Sequence, residues 1–473
     1  MWVPTPVRLS PPSTYAPPAA LLLLCGAVAC ASETSGGGDD DGGAGAGISA
    51  SGAAPGTGTE GAGTDGEGAS SGDSPADSSA GPPGESTGPD GLKFDLGGQD
   101  TGEIGCGGDG DGDATPTFSF IWIANTNEGT VSKINTQTGI EEGRYRTSAS
   151  GSDSPSRTSV NQFGDVLVAN RNGGGAATKI AAIVERCVEK NGLPGIQTST
   201  GAADVLPYLE DECVLWSTPM PINDHGPRGI AWEGGEIDTN TCMNTVPDPR
   251  VWVSFGGNPE DVYRLDGTTG AVLDHVSHPA GGGRIYGGAV NAEGDLWYVN
   301  RGTNRLAMID GVTLVRQEWA IPGTPYGMGV DANGDPWVVT YAGGAGVDHV
   351  YRFDVASAMF VDAGGTGGYY RGMNIDRDGK VWVGGNNPCR LAVFDGATDS
   401  LLDDAIPLPG CTTPVGVSID FEGFVWVVDQ NGTAYKVNPG DHSIVLMATG
   451  LVGPYTYSDM TGAGLDLVLN PPG

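Results

Sequence analysis

Six residues able to hold a ligand share one place in a repeating phrase. Arg157, Arg228, Tyr286, Tyr326, Arg371 and Tyr455 each stand at the opening of a short apolar run, and Val415 takes the same place in a seventh copy. A guanidinium grips carboxylate, sulfate or phosphate through parallel N–H bonds. A tyrosine adds a flat apolar face with a hydroxyl, suited to sugars and aromatic groups. Converging on one axis, these side chains would form a cationic, aromatic mouth for an anion. The alternative is that each Arg pairs with a neighbouring Asp and simply fills the centre.

A second set closes the run that follows each of these: Asn125, Asn170, Phe255, Asn300, Thr340, Gly385 and Asp429. Asn125, Asn170, Asn300 and Asp429 carry hard oxygen donors of the kind calcium collects six to eight at a time. The same residue types also cap strand ends and turns, so a Ca2+ ring and a set of caps are both open. No other cofactor is expected.

What must position both sets is the phrase itself. It reads apolar strand, acidic or amide residue, Gly, then apolar-Trp-apolar, as in PYGMGVDANGDPWVVT from Pro325 and PVGVSIDFEGFVWVVD from Pro414. Trp122, Trp252, Trp297, Trp337, Trp382 and Trp426 mark six copies and Leu167 a seventh, at a period of roughly 40–45 residues once one insertion is allowed for. Four short strands per unit at that period predict an all-β, seven-bladed β-propeller. The Trp side chains are expected to fill the space between blades.

The first copy begins at its second strand, FSFIWIAN. Pro454 to Gly462 (PYTYSDMTG) read as an inner strand without a successor, so this segment is expected to complete the first blade and close the ring. The insertion, at about 181–223, opens with Ile183, Val184, Cys187 and Val188 at helical spacing, which predicts a short helix. It would cap one mouth of the ring or decorate its rim.

The propeller is assigned to 114–473. Residues 1–29 read as a signal peptide, with an apolar run from Ala19 to Ala29 that is too short to span a membrane. Ala27-Val28-Ala29-Cys30 resembles a bacterial lipobox, with Cys30 the lipidated residue; simple cleavage after Ala-x-Ala is the other reading. Residues 30–113 are rich in Gly, Ser and Asp, and from residue 31 hold 17 acidic residues against one basic one, Lys93. Such a segment cannot offset its ordering entropy and is expected to be a disordered tether. The expected location is therefore the outer membrane or cell surface through a lipid anchor, or otherwise the periplasm or medium.

The formal charge of −35 argues against a nucleic-acid partner, which needs Lys and Arg to neutralise phosphate. It equally disfavours any membrane contact beyond the anchor. In an exported chain the six remaining cysteines favour bridges. Spacing suggests Cys389–Cys411 within half a repeat and Cys187–Cys213 within the insertion, leaving Cys106–Cys242 by elimination. A monomer is expected.

The phrases PYGMGVDANGDPWVV, RGMNIDRDGKVWVGG and PRGIAWE, with the closings VYRLDGTTG and KINTQTG, resemble the virginiamycin B lyase (streptogramin lyase) family and the wider NHL and YVTN repeat propellers, over about Phe118 to Gly462. The resemblance implies a seven-bladed propeller with its site at the tunnel mouth. The lyase family uses a His at the inner-strand position and a Glu at the end of the Trp strand. This chain has neither at the matching places, and without a general base the proton abstraction has no agent. The Asn/Asp set is similar to that of calcium-dependent propeller lactonases of the gluconolactonase type. The function expected is thus binding or scaffolding at the cell envelope, with an anionic small molecule, glycan or protein as partner and no catalytic residue. The alternative is a tunnel enzyme, either a divergent C–O lyase or a calcium-dependent lactonase or hydrolase.

Overall fold

The computed structural model describes residues 119–472, apart from 223–224, 236, 239–242, 245–248, 280 and 342–346. The signal peptide, Cys30, the 30–113 tether and the Cys106–Cys242 pairing lie outside the described residues.

Seven antiparallel sheets form a ring of blades. Blade 4 shows the plan: Ile285–Val290 lies innermost, followed outward by Leu296–Asn300, Arg305–Ile309 and Arg316–Ala320. The innermost strands of blades 2, 3, 5, 6 and 7 are Pro155–Val160, Gly229–Trp232, Pro325–Val330, Tyr370–Ile375 and Pro414–Ile419. Inner strands are buried on both faces and read as near-continuous apolar and small residues. Outer strands are mostly half-buried or exposed, as in Val272–His278 and Ile444–Thr449 where the two alternate, because one face meets water.

The repeated phrase has a hydrogen-bonding logic. In blades 5, 6 and 7 the Asp that ends the inner strand takes two turn N–H groups on Oδ1, as Asp376 does from Asp378 and Lys380. Its Oδ2 accepts the indole N–H of the Trp six residues on: Asp331 from Trp337 at 2.9 Å, Asp376 from Trp382 at 2.7 Å and Asp420 from Trp426 at 2.9 Å. One carboxylate therefore fixes both the turn and the blade-filling ring. Where the Asp is missing, the indole of Trp122 reaches the Gly164 carbonyl of the next blade, and Trp252 reaches Gly294. In blade 4, with Asn291 in the Asp place, the Trp297 N–H has no acceptor among the described residues.

Blade 1 contributes only Phe120–Asn125, Thr130–Asn135 and Glu141–Arg146. The segment Pro454–Gly462 occupies its inner place, as expected, but not as a regular strand. The Trp122 main-chain N–H donates to the Met460 carbonyl at 2.9 Å, and Tyr457 bridges Arg157 of blade 2 in parallel. On the other side Thr461 donates its hydroxyl to Ile419 O of blade 7. The chain then turns into a helix, α1 (Ala463–Leu469), which sequence periodicity had not suggested. Its Leu465, Leu467 and Val468 are buried against the far ends of the inner strands, and its Asp466 pairs with Arg377 of blade 6. The helix thus lies across the axis at one end of the ring.

The insertion departs from the expected form. The helical spacing yields only a 3-10 turn, Val184–Arg186. The segment also returns to its blade early, with Val214–Pro219 as the fourth strand of blade 2. Too few consecutive helix formers are present to offset helix nucleation. Order comes instead from the Cys187–Cys213 bridge and from two carboxylates. Asp211 accepts from Ser199 N–H and Thr198 hydroxyl, and Glu212 from the N–H groups of Lys190 and Gln197. Ile183, Cys187 and Ile196 pack toward Trp122 and Tyr145 of blade 1, away from the axis. Cys389–Cys411 also forms, joining blade 6 to the approach of blade 7.

Candidate functional site

The inner strands share a second device. In blades 4–7 the ladder slips by at least one residue just after the strand opens, at Tyr286, at Tyr326 and Gly327, at Arg371 and Gly372, and at Val415. A bulge kinks the strand and re-aims the bulged side chain. Here it turns the second residue toward the axis, which is why residues distant in sequence meet at the end of the ring opposite α1.

All six predicted mouth residues come together. The Tyr455 hydroxyl lies 2.6 Å from that of Tyr286 and 2.7 Å from that of Tyr326. Arg371 donates from Nη1 to the Tyr326 hydroxyl at 3.0 Å and from Nε to Asn386 Oδ1 at 3.1 Å. Arg228 stands 5.0 Å from the Tyr286 ring centre. Arg157 is fully buried, 3.1 Å from the Tyr457 ring centre, and donates from Nε and Nη2 to the Tyr286 carbonyl.

Arg157 nevertheless occupies a different register from its supposed equivalents. It pairs with Ala169, whereas the matching residues of the next strands, Val299 and Val428, pair with Gly287 and Gly416. The residue of blade 2 that corresponds to Tyr286 is Ser156. Arg157 stands where blades 3 to 7 have Gly229, Gly287, Gly327, Gly372 and Gly416. Glycine is needed there because a Cβ on Gly372 would lie 2.4 Å from Val415 O, and one on Gly416 2.2 Å from Thr456 O. Among blades 2 to 7 only blade 2 carries a side chain there, and it sends a guanidinium into the centre.

The oxygen-donor set is not brought to one place. Asn125 accepts from Val452 N–H and donates to Ser132; Asn170 exchanges bonds with Thr147. Asn300 accepts from the N–H groups of Gly302 and Thr303 and donates to Glu260, and Asp429 accepts from Thr412 and Thr413. Each is spent on hydrogen bonds at the end of its own Trp strand, largely to the exit of the neighbouring blade. Among the described residues no group of three or more His, Cys, Asp or Glu side chains is placed to share a metal ion.

The residues that do face the axis lie one position later, since successive side chains of a strand point to opposite faces. They include Arg171, Arg301, Tyr341 and Asn386. Arg171 lies 4.7 Å from the Tyr455 ring centre. Arg301 spans Tyr286, Tyr326 and Tyr341 at 5.2, 5.4 and 5.1 Å. Arg284 and Tyr369, just ahead of two inner strands, complete the rim against Tyr286 and Tyr341. The doublets Asn170-Arg171 and Asn300-Arg301 were the sequence signal for this layer.

The electrostatics follow from this crowding. Burial and the neighbouring Arg228 bring the Arg157 guanidinium down to about 9, so it stays charged at neutral pH. Burial would raise Tyr286, but Arg228, Arg157 and Arg301 together outweigh it and bring the phenol to about 8. Burial and the Tyr286 phenol push Tyr455 up to about 12, and burial with both Tyr286 and Tyr455 pushes Tyr326 well above its usual value. Arg157, Arg301 and Arg371 make no ion pair with a carboxylate among the described residues. The alternative in which the mouth arginines pair with neighbouring Asp therefore does not hold for Arg157 and Arg371 among the described residues.

The sequence matches no protein-family model and no curated protein. Solved structures resemble it in fold. Virginiamycin B lyase from Staphylococcus aureus is similar over 49% of this chain and 74% of that one, at 17% identity and a TM-score of 0.38. Kuenenia stuttgartiensis hydrazine synthase is similar over 66% and 90%, at 13% identity and 0.47. A functionally unknown protein from Desulfotomaculum acetoxidans is similar over 71% and 96%, at 12% identity and 0.49.

Proposed function

We propose that this propeller is a binding protein of the cell envelope whose Arg/Tyr mouth takes an anionic ligand with a flat apolar face, such as a carboxylated or sulfated sugar or an aromatic acid. The observation that carries this reading is Arg301. On a chain of net charge −35 its half-buried guanidinium rests on three tyrosine rings with no acid partner among the described residues. Desolvated cations left without counter-ions are costly, and an incoming anion relieves that cost. Arg371 supplies a second donor fork beside it, while Tyr341 and Tyr369 supply a stacking face. Two disulfides fit an oxidising, exported setting. No helix among the described residues is long and apolar enough to cross a membrane, and attachment through Cys30 is part of the proposal.

Calorimetry on the full chain tests the reading, with a sulfated oligosaccharide and its uncharged counterpart as probes. Binding of the charged probe alone, weakened at least tenfold by Arg301→Ala or Arg371→Ala, is the expected result. Equal binding of the two probes, or of the charged probe to wild type and both variants, would refute it.

A further inference from the structure

The three central phenols share only two hydrogen bonds. A tyrosine hydroxyl has one proton to donate. The Tyr286–Tyr455 and Tyr326–Tyr455 contacts use two of the three protons, whichever way each bond runs, and the Tyr326 oxygen already accepts from Arg371. One phenol proton is left without an acceptor in the cluster, and the cations around Tyr286 single out that phenol to lose it. Tyr286 is 0% exposed, and its hydroxyl has no partner besides Tyr455 among the described residues. Cations surround its ring: Arg157 from blade 2, Arg228 from blade 3, and Arg284 and Arg301 from blade 4. From the remaining sides it meets Tyr326 of blade 5, and Tyr455 and Tyr457 of the closing segment. Among the described residues no carboxylate touches the Tyr286 ring or hydroxyl. Losing the orphaned proton removes a buried donor without an acceptor and places a negative charge among four positive ones.

We propose that Tyr286 holds a phenolate in this cluster and takes up one proton from solvent when an anion enters the arginine mouth. The only bond formed is the Tyr286 O–H, and the ligand's charge replaces the phenolate's among the guanidinium groups. The depressed ionisation of Tyr286 and the raised values of its two partners agree with the leftover proton lying on Tyr286. The coupling rests on the anion-binding reading; the phenolate itself does not.

Two measurements separate them. The first is tyrosinate absorbance of the full chain, titrated without ligand from about pH 6 to about pH 10. One of the 14 tyrosines is expected to ionise near pH 8. That step should vanish in Tyr286→Phe and move to higher pH in Arg301→Gln, a half-exposed change that leaves the frame intact. If every tyrosine ionises only near 10 and above, the inference is overturned while anion binding can stand. The second is calorimetry with sulfate in two buffers of different ionisation enthalpy. Above the Tyr286 step, uptake of one proton per sulfate is expected, with affinity falling about tenfold per pH unit. Sulfate binding without proton uptake overturns the coupling. Failure of sulfate to bind at any pH overturns it too, through the anion reading, and leaves the phenolate step standing.

Discussion

Arg157 donates two hydrogen bonds, of 3.2 and 3.0 Å, to the main-chain carbonyl of Tyr286, two blades and 129 residues away. A side chain in a slot that is otherwise glycine thus ties the inner edge of blade 2 to that of blade 4. Arg157→Ala is expected to strand that buried carbonyl and open a void, lowering unfolding free energy by about 2–4 kcal/mol. Arg301→Ala, at the rim, should stay within about 0.5 kcal/mol of wild type. Denaturant midpoints of the two variants check this; equal losses would make Arg301 part of the frame.

The Asp-to-Trp bond predicts an asymmetry between chemically mild substitutions. Asp376→Asn retains an oxygen for the turn but sets an amide NH2 against the Trp382 indole N–H, two donors face to face. A loss of about 1–3 kcal/mol is expected in equilibrium unfolding. At Asp378, one step into the turn, the same change should be close to neutral.

Ring closure depends on Pro454–Gly462, and α1 adds three buried apolar side chains. Removal of 463–473 is expected to cost several kcal/mol, at about 1.5–3 kcal/mol for each buried Leu or Val. Removal of 454–473 should abolish cooperative unfolding. Arg377→Ala breaks an ion pair to Asp466 and a hydrogen bond to the Asn470 carbonyl, both from an arginine that is 55% exposed, and should change the melting temperature little. Calorimetric scans of the three proteins distinguish these outcomes.

Stability should also depend on pH through Tyr286. The folded protein releases this proton at about 8 and the unfolded chain at about 10. Between those values the unfolded state binds more protons, so this group adds stability as pH rises from 8 to 10, and the gain is lost as pH falls through 8. Above 10 the raised value of Tyr455 acts in the opposite direction, because there the folded state keeps a proton that the unfolded chain has released. Melting curves of wild type and Tyr286→Phe should diverge across that window and run parallel below it.

Calcium, followed by excess chelator, is expected to leave the melting temperature unchanged. Asn125, Asn170, Asn300 and Asp429 already spend their oxygens on hydrogen bonds in four separate blades. A rise reversed by chelator would show a binder of the folded state.

The fold was legible because one carboxylate does two tasks. The D-x-x-G-x-x-W spacing is the imprint of Asp331, Asp376 and Asp420 holding a turn and an indole at once. The mouth was legible for Tyr286, Tyr326 and Arg371, where Gly follows in the next position and marks the register. It misled at Arg157, since Pro155-Ser156-Arg157 lacks that Gly and alignment on charge slides the blade by one residue. The same one-residue parity hid Arg171 and Arg301 behind Asn170 and Asn300: a strand-end residue and its successor face opposite ways, and no composition reveals which. Helix α1 escaped because Ala463–Leu469 is two turns long, has Gly462 before it and Gly464 inside it, and is stabilised by what it covers.

Among the described residues, that helix covers one end of the ring, with Leu465, Leu467 and Val468 seated across the far ends of the inner strands. If the proposed mouth at the other end takes its ligand, that ligand leaves by the way it came. A polymer would not thread such a site; a terminus or a side branch would enter it. Recognition here would favour chain ends over chain interiors, and a bound end would block any competitor for as long as it stays.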